Sequence, residues 1–478
     1  MRGVFLALFC LAAAAAAEPK VDAAVRKADR RLAGKLLAVG KEALEVGQGA
    51  TANRILRRVL ELRSDDRAAM KGLGFKRVKG DWERSNDDRS RVEGRRDTDA
   101  QAVAELRAKV SRAERARAKA ILAACEKHSD PAKERAVLSP LLDRCPRLAD
   151  VHEALGHSKK GANYVRPELQ SVARMVATRL RTWRACRYTP VEAEPTGRTV
   201  TISGVRAQLP LVRVGKRLIA TTYGLAQTEK VAVRTEASYT LSRMLLGPKI
   251  AIWAPKRVYF LDRAVYGALI RGNHPSLEEQ KTRLRYGNYW GKGYYARWAA
   301  TPERATAYYA HSVGFRTMRM RAGPGDRADK RWKPHAWVQE GFACLLSFEL
   351  WGHSWAFTIS PDETSGKVIS VLEPEDSSTR VSLEWVRQNL LHGAADSLRE
   401  VFGRSLNNLD RLATLQAWTF LRFLYLYDPI GGKKFPPALG AQLEGPMPDR
   451  ADRALKEAFG KDTGELERLW RRFTLEIS

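Results

Sequence analysis

The segments ATAYYAHSVGF (residues 305–315) and PHAWVQEGFA (residues 334–343) set the interpretation of this chain. Neither segment has a proline in its interior, and each is predicted to form a helix. The first helix carries His311 and the second carries Glu340. Imidazole and carboxylate groups are zinc ligands in proteins, so these two residues are the candidate metal-binding residues.

A catalytic zinc site needs more than these two side chains. In an HExxH helix, two histidines four residues apart bind zinc, and the glutamate after the first histidine is the general base. Ser312 stands here at the position of the base, and Phe315 stands at the position of the second ligand. A hydroxyl cannot deprotonate zinc-bound water as a carboxylate does, and a phenyl ring binds no metal. We therefore predict no catalytic residue and no cofactor, with His311 and Glu340 as vestigial ligands.

Two alternatives stay open for this pair. Another donor, such as His335, His353 or the Tyr308–Tyr309 pair, would supply the third ligand, although none of them has a spacing that argues for it. In the other interpretation both residues are structural. His311 is then a buried, hydrogen-bonded helix residue, and Glu340 braces its own helix.

The sequence changes character at about residue 198, where β-branched runs separated by glycine begin. Strands are predicted at Thr199–Ser203, Leu209–Val214, Arg217–Thr222, Ile250–Trp253 and Arg257–Phe260. Helices are predicted at Glu229–Leu246 and from the N-cap Asp262 through Leu269. Residues 286–298 are predicted as a loop or edge strand, and the C-terminal third as mainly helical. The fold class is therefore α+β, with a mixed sheet between helical parts.

This order of elements, with the WVQEGFA segment, resembles the peptidase-MA-like domain of gluzincin metallopeptidases, which occurs with helical repeats in some exported bacterial proteins. The resemblance covers about residues 198–430 and implies a gluzincin-like scaffold with a substrate cleft. The candidate cleft residues are Ser312, Phe315, Trp337 and Tyr308, with Tyr294, Tyr295, Tyr309 and Trp332 as further aromatic candidates. Ordinary core packing is the alternative interpretation of these aromatic side chains.

The N-terminal part contains an internal repeat. Leu73-Gly74-Phe75 and Leu155-Gly156-His157 lie 82 positions apart (residue 155 against residue 73), and Trp82 and Tyr164 share that offset. We predict that each copy is a helical hairpin followed by a short hairpin-like element. The copies resemble tetratricopeptide-like helical pairs, although their period differs from that of tetratricopeptide repeats. The nearby stretch His152–His157 is not taken as a metal motif, because a spacing of five residues places its histidines on different helix faces.

The chain start has the features of a secretory signal peptide. Arg2 precedes an apolar run and an alanine-rich stretch that ends at Ala17. The predicted organisation is a signal peptide at 1–17, helical repeats at 18–95 and 96–168, a degenerate gluzincin-like core at 198–355 and a helical subdomain at 356–478. We therefore expect an exported protein, periplasmic or secreted, with no transmembrane segment after cleavage.

Cysteine usage and charge give weaker indications. Cys125 and Cys145 flank predicted paired helices, so a disulfide and two buried thiols are both compatible with the sequence. The net charge of +29 comes from 83 Lys and Arg against 54 Asp and Glu. Such a balance favours polyanions as partners, meaning nucleic acid, acidic envelope polymers or anionic lipid surfaces. The basic residues are spread along the whole chain, so compositional bias is the preferred interpretation of the charge, and nucleic acid is not the expected partner.

Three hypotheses for function follow. The first is an exported, catalytically inactive relative of zinc metallopeptidases that binds peptide or protein through a vestigial cleft. The second is a divergent metal-dependent hydrolase with a changed ligand set that includes His311, His335 and Glu340. In that case we expect stoichiometric zinc. The third is an envelope adaptor that binds its partners through the helical repeats.

Overall fold

The computed structural model describes residues 2–83, 88, 92, 97–128, 131–144, 148–160, 163–165, 167–202, 207–247, 251–291, 293–319, 335–354, 378–391, 395–404, 409, 411–427 and 449–477. The chain divides into an N-terminal unit, Met1–Ser171 with Arg387–Asp396, and a C-terminal unit, Val172–Val386 with Ser397–Ser478. The fold is a mostly helical α+β structure, with a six-stranded mixed sheet in the middle and helical N- and C-terminal parts. The predicted fold class is confirmed at this level.

The N-terminal unit repeats one arrangement at the offset predicted from the sequence. Its helices are α1 (Arg2–Glu45), α2 (Gly49–Leu62), α3 (Arg67–Gly72), α4 (Ala100–His128), α5 (Pro131–Arg144) and α6 (Ala149–Ala154), and its strands are β1 (Lys76–Val78), β2 (Asp81–Glu83), β3 (Ser158–Lys160) and β4 (Asn163–Val165). The elements from α2 to β2 recur from α5 to β4, with every bound shifted by that same offset. Trp82 pairs with Arg77, and Tyr164 pairs with Lys159. Each copy contains a short helix and a β-hairpin after its longer helix. It is therefore longer than a two-helix tetratricopeptide unit.

The two long helices of the N-terminal unit, α1 and α4, contribute to both of its apolar clusters. Leu36 of α1 and Leu56 of α2 belong to the first cluster. Val21 of α1 and Leu142 of α5 belong to the second. Because neither copy buries its apolar residues without α1 and α4, we expect the two copies to fold together.

A six-stranded mixed sheet forms the centre of the C-terminal unit. Its strands are β5 (Glu194–Thr201), β6 (Gln208–Val214), β7 (Arg217–Thr221), β8 (Arg257–Leu261), β9 (Asn288–Gly291) and β10 (Tyr294–Trp298), in the spatial order β5-β6-β7-β8-β10-β9. The pairs β7–β8 and β8–β10 are parallel, and the other pairs are antiparallel. In the stretch predicted as loop or edge strand, β9 is the edge strand and β10 is an inner strand.

One predicted strand is absent. Residues 251–253 of the predicted strand Ile250–Trp253 form no strand, and residue 250 lies outside the described part of the chain. The backbone N–H of Trp253 donates to the Thr317 hydroxyl at 3.1 Å instead of to a neighbouring strand. The prediction was wrong because a β-branched, apolar run does not reveal whether a pairing partner exists.

The helices from residue 167 onward are α7 (Pro167–Ala185), α8 (Leu225–Leu246), α9 (Arg263–Asn273), α10 (Leu277–Tyr286), α11 (Pro302–Arg319), α12 (Ala336–Trp351), α13 (Thr379–Leu391), α14 (Leu398–Gly403), α15 (Arg411–Leu426), α16 (Asp449–Phe459) and α17 (Thr463–Glu476). Asp262 caps α9 as predicted, because its carboxylate accepts a hydrogen bond from the Val265 N–H at 2.9 Å. In the described part of the chain, no helix has the length and apolar character needed to cross a bilayer.

The sheet carries helices on both faces. Tyr259 of β8 lies in an apolar cluster with Tyr266 of α9. The next residue of β8, Phe260, has its ring 5.8 Å from that of Tyr309 on α11. Because successive side chains of a strand point to opposite faces, α9 and α11 lie on opposite sides of the sheet.

Two glycines set how closely α11, α12 and α15 pack. A Cβ atom on Gly314 of α11 would lie 2.7 Å from the Cα atom of Ala343 on α12. A Cβ atom on Gly341 of α12 would lie 2.9 Å from the carbonyl oxygen of Ala417 on α15. Both contacts are to backbone atoms, so the helices approach each other closely only because neither glycine has a side chain.

Candidate functional site

His311 and Glu340 meet where α11 crosses α12. The Nε2 atom of His311 lies 3.2 Å from Oε2 of Glu340, and the side chains are 5% and 2% exposed. Gly314, almost one helical turn after His311, holds the two helices at the short separation that this contact needs. The structure therefore brings together the two predicted metal ligands, although 29 positions separate them in the sequence.

Cys344 is a third metal-binding side chain at the same place. It follows Glu340 by four residues on α12 and is fully buried. The ligand atoms of His311, Glu340 and Cys344 all lie within 4.8 Å of one another. The predicted ligand set lacks Cys344. Its spacing of four residues from Glu340, which places two helical residues on one face, is a signal in the sequence that identifies it.

The environment of Cys344 favours the protonated thiol when no metal is bound. Burial raises the pKa of the Cys344 thiol well above its usual value, and the negative charge of Glu340 adds to this effect. The Ser354 hydroxyl, which is also buried, donates to the Cys344 sulfur at 3.9 Å.

Ser312 and Phe315 are buried beside His311. The Ser312 hydroxyl is hydrogen-bonded to the Tyr295 hydroxyl at 2.8 Å. The Phe315 ring is stacked parallel to the His311 ring, with 6.5 Å between the ring centroids. Ser312 is 8% exposed and Phe315 is 6% exposed, so these two cleft candidates have little surface with which to contact a ligand.

Neither of the histidines proposed as a third ligand joins His311, Glu340 and Cys344 in this cluster. His335 is the N-cap residue of α12, before the turn that holds Glu340. His353 follows the end of α12 and forms an isolated bridge with Ser378. Tyr309 is fully buried, and its hydroxyl is hydrogen-bonded to that of Tyr239. Burial raises the pKa of Tyr309 well above its usual value, which keeps its phenol protonated at neutral pH.

The remaining aromatic candidates in the described part of the chain have packing partners. Trp337 is fully buried, and its ring centroid lies 4.6 Å from that of Phe402, which fits the core-packing interpretation. The Arg297 guanidinium lies over the Tyr308 ring, 4.1 Å from the centroid. Trp332 lies outside the described residues.

The histidines of the stretch His152–His157 contact each other, with 2.8 Å between their Nδ1 atoms. The prediction that they occupy different faces of one helix is wrong, because α6 ends at Ala154. The chain then turns back, so that the N–H of His157 donates to the carbonyl of His152 at 2.9 Å. Among the described residues, no third His, Cys, Asp or Glu joins this pair in a metal-binding cluster.

The cysteines divide between the two units. Cys186 and Cys344 of the C-terminal unit are buried free thiols. Cys125 is buried in α4, and Cys145 lies outside the described residues. A Cys125–Cys145 disulfide and two buried thiols therefore both stay compatible with the sequence.

The buried tyrosines of the C-terminal unit predict a loss of stability at alkaline pH. Burial raises the pKa of Tyr425, and burial likewise raises the pKa of Tyr266, whose hydroxyl donates to the Arg283 carbonyl at 3.0 Å. In the unfolded chain both phenols ionise near pH 10. The unfolded state therefore binds fewer protons above that pH, and the free energy of unfolding falls as the pH rises.

We expect each such tyrosine to cost up to about 1.4 kcal/mol of unfolding free energy per pH unit above about pH 10. Urea unfolding followed between about pH 8 and pH 11 measures this slope. Tyr425→Phe should reduce the slope, whereas Tyr188→Phe, at an exposed position, should leave it unchanged. Equal slopes for wild type and Tyr425→Phe would contradict the prediction.

The comparisons with known proteins identify no relative of this chain: no family model, no curated protein and no solved structure matches it.

Proposed function

We propose that this chain is a non-catalytic relative of zinc metallopeptidases that binds peptide or protein segments through a gluzincin-like core. One observation carries the proposal. His311 and Glu340 meet at 3.2 Å between two packed helices, while Ser312 and Phe315 stand at the positions of the base and the second ligand. The order of mixed sheet, His311 helix and Glu340 helix supports the proposed scaffold. The signal-like chain start supports an exported location.

The surroundings of His311 support the loss of catalysis. A zinc peptidase needs a base that takes a proton from metal-bound water, and it needs room for the substrate beside the metal. Ser312 at the base position is neutral and already hydrogen-bonded to Tyr295. The Phe315 ring fills the space beside His311 where a second imidazole would bind the metal.

The edge strand β9 supports peptide binding. The N–H of Trp298 donates to the carbonyl of Gly287 at 2.9 Å. From this hydrogen bond as far as Tyr294, β10 pairs with β9 in the antiparallel direction. Hydrogen-bonded and non-hydrogen-bonded pairs alternate along such a ladder, so the backbone N–H and C=O of Asn288 and Trp290 point away from β10. In the described part of the chain these groups form the outer edge of the sheet, where an extended peptide can add as a further strand.

Removing one outward N–H tests this mode of binding. Trp290→Pro eliminates the donor of Trp290 without removing a hydrogen bond between β9 and β10, and it should weaken peptide binding about tenfold. Trp290→Ala keeps the N–H and is the matched control. Fluorescence anisotropy of a labelled, permanently unfolded polypeptide measures the affinity of the full-length variants. No binding by wild type, or equal binding by both variants, would contradict the proposal.

The two other functions receive different support. One observation, the presence of Cys344 as a third metal donor, favours the hydrolase alternative. Ser312 at the position of the carboxylate base argues against it. The adaptor alternative is favoured by the repeat of the N-terminal unit. Deletion of residues 18–168 distinguishes the adaptor function from peptide binding at the sheet edge, since only binding at the sheet edge should survive the deletion. The charge of +29 supports additional contact with acidic envelope polymers.

A further inference from the structure

We propose that His311, Glu340 and Cys344 form a mononuclear zinc site that joins α11 to α12. The zinc peptidases bind zinc with two histidines of one helix and a glutamate of a later helix. Here the Cys344 thiolate of α12 takes the place of the second histidine, and α11 contributes only His311. The site has a structural role in this proposal. The inference does not depend on peptide binding at β9.

The distances among the three ligand atoms match the needs of zinc. Metal–ligand bonds of about 2.0–2.1 Å at a tetrahedral angle place a nitrogen and an oxygen ligand about 3.3 Å apart. The observed distance between His311 Nε2 and Glu340 Oε2 is 3.2 Å. The Cys344 sulfur lies within 4.8 Å of one ligand atom of His311 and one of Glu340. A shift of about 1 Å by the Cys344 side chain would bring the sulfur to the separation of about 3.6 Å expected for a bound thiolate.

The chemistry of the donors selects zinc. One imidazole, one carboxylate and one thiolate form a mixed nitrogen, oxygen and sulfur set, which suits a borderline ion such as Zn²⁺ better than Mg²⁺ or Ca²⁺. Zn²⁺ with a carboxylate, a thiolate and a neutral imidazole has no net charge. A neutral cluster reduces the cost of burying these groups, all of which are at most 4% exposed as residues.

The surroundings add a partner for the bound thiolate. The Ser354 hydroxyl already donates to the Cys344 sulfur, and such a hydrogen bond to a metal ligand orients it and stabilises its charge. The fourth position of zinc falls to water or to the second oxygen of Glu340. A water there lacks a carboxylate base, because Ser312 holds that position.

Metal content alone therefore does not separate an enzyme from a binding protein in this chain, and hydrolysis has to be measured separately. Stoichiometric zinc in the purified protein would therefore be compatible with both functions. If the zinc site fails its test, the proposal of peptide binding is untouched. If peptide binding fails, the zinc site stands or falls by its own measurements.

The test uses full-length protein that has been stripped with a chelator and reloaded with Zn²⁺ or Co²⁺. We expect one metal ion per chain by mass spectrometry and, with Co²⁺, a thiolate-to-metal absorption band in wild-type protein. Cys344→Ala should weaken zinc binding by about 100-fold or more, because even the loss of an outer-shell partner costs about 10–100-fold. Cys186→Ala is the matched control, since Cys186 is also a buried thiol of the C-terminal unit. It should leave the affinity and the absorption band unchanged.

The wild-type cobalt spectrum keeps the test decisive if Cys344→Ala does not fold. A thiolate band in wild-type protein that survives Cys186→Ala supports the site. A wild-type protein that binds no stoichiometric metal, or binds Co²⁺ without a thiolate band, overturns it. Equal zinc affinity of Cys344→Ala and Cys186→Ala overturns it as well.

Discussion

Replacing Arg422 by methionine should lower the free energy of unfolding by about 3–5 kcal/mol. Arg422 of α15 and Glu349 of α12 form an ion pair, with 2.9 Å between Nε and Oε1, and their side chains are 4% and 0% exposed. Removing the guanidinium leaves a carboxylate in a site where it has no access to water. Such an uncompensated buried charge is among the most destabilising single changes in a protein.

The double variant Glu349→Leu/Arg422→Met should recover most of this loss. In the described part of the chain, neither carboxylate oxygen of Glu349 forms a hydrogen bond, and neither do Nε and Nη1 of Arg422, so the attraction between the two charges is the main stabilising term of the pair. Apolar side chains of similar size avoid the cost of desolvating these charges. Chemical denaturation of wild type, Arg422→Met, Glu349→Leu and the double variant gives the coupling energy between the two positions.

The exposed pair Arg234–Glu303 provides the matched control. Its side chains are 39% and 67% exposed and lie 3.7 Å apart. Arg234→Met should therefore change the free energy of unfolding by less than about 1 kcal/mol. Equal losses of unfolding free energy for Arg422→Met and Arg234→Met would contradict the prediction that removing Arg422 leaves a costly buried charge.

Replacing Gly314 by leucine should cost about 3 kcal/mol or more of unfolding free energy. The new Cβ atom would lie 2.7 Å from the Cα atom of Ala343, so α11 and α12 must separate. That separation would also lengthen the contact between His311 and Glu340, because both lie within about one helical turn of the crossing. Urea unfolding measures the loss of stability, and zinc titration measures the loss of the proposed metal site.

Gly403 is the control for the glycine substitution. A Cβ atom there would meet no atom within 4 Å, so Gly403→Leu should be close to neutral. Equal stability of the Gly314 and Gly403 variants would mean that the crossing of α11 and α12 adapts to a side chain. In that event the short contact between His311 and Glu340 would need another explanation.

Features that depend on local sequence were predictable. The constant offset between the two N-terminal copies indicated the repeated hairpins, because the same turn residues recur in both copies. The N-cap at Asp262 was predictable from the preference of helix N-termini for aspartate. His311 and Glu340 were predictable as a pair only because the residues around them resemble a known motif.

Features that depend on tertiary packing were not predicted. The His152–His157 contact depends on where α6 ends, which helical spacing does not reveal. The hydrogen bond of Ser312 to Tyr295 joins a helix to a strand, and no sequence spacing encodes it. Cys344 lies one helical turn from Glu340, but cysteine is not a ligand in the motif that this chain resembles, so the resemblance does not point to it.

A hydrolysis assay tests most directly whether this chain binds its ligands without cleaving them. Full-length protein loaded with Zn²⁺ is incubated with a pool of quenched fluorescent peptides, with and without chelator, beside the His311→Ala variant. We predict no cleavage that chelator removes and no difference between wild type and His311→Ala. Cleavage by wild type that is abolished both by chelator and by His311→Ala would contradict the account.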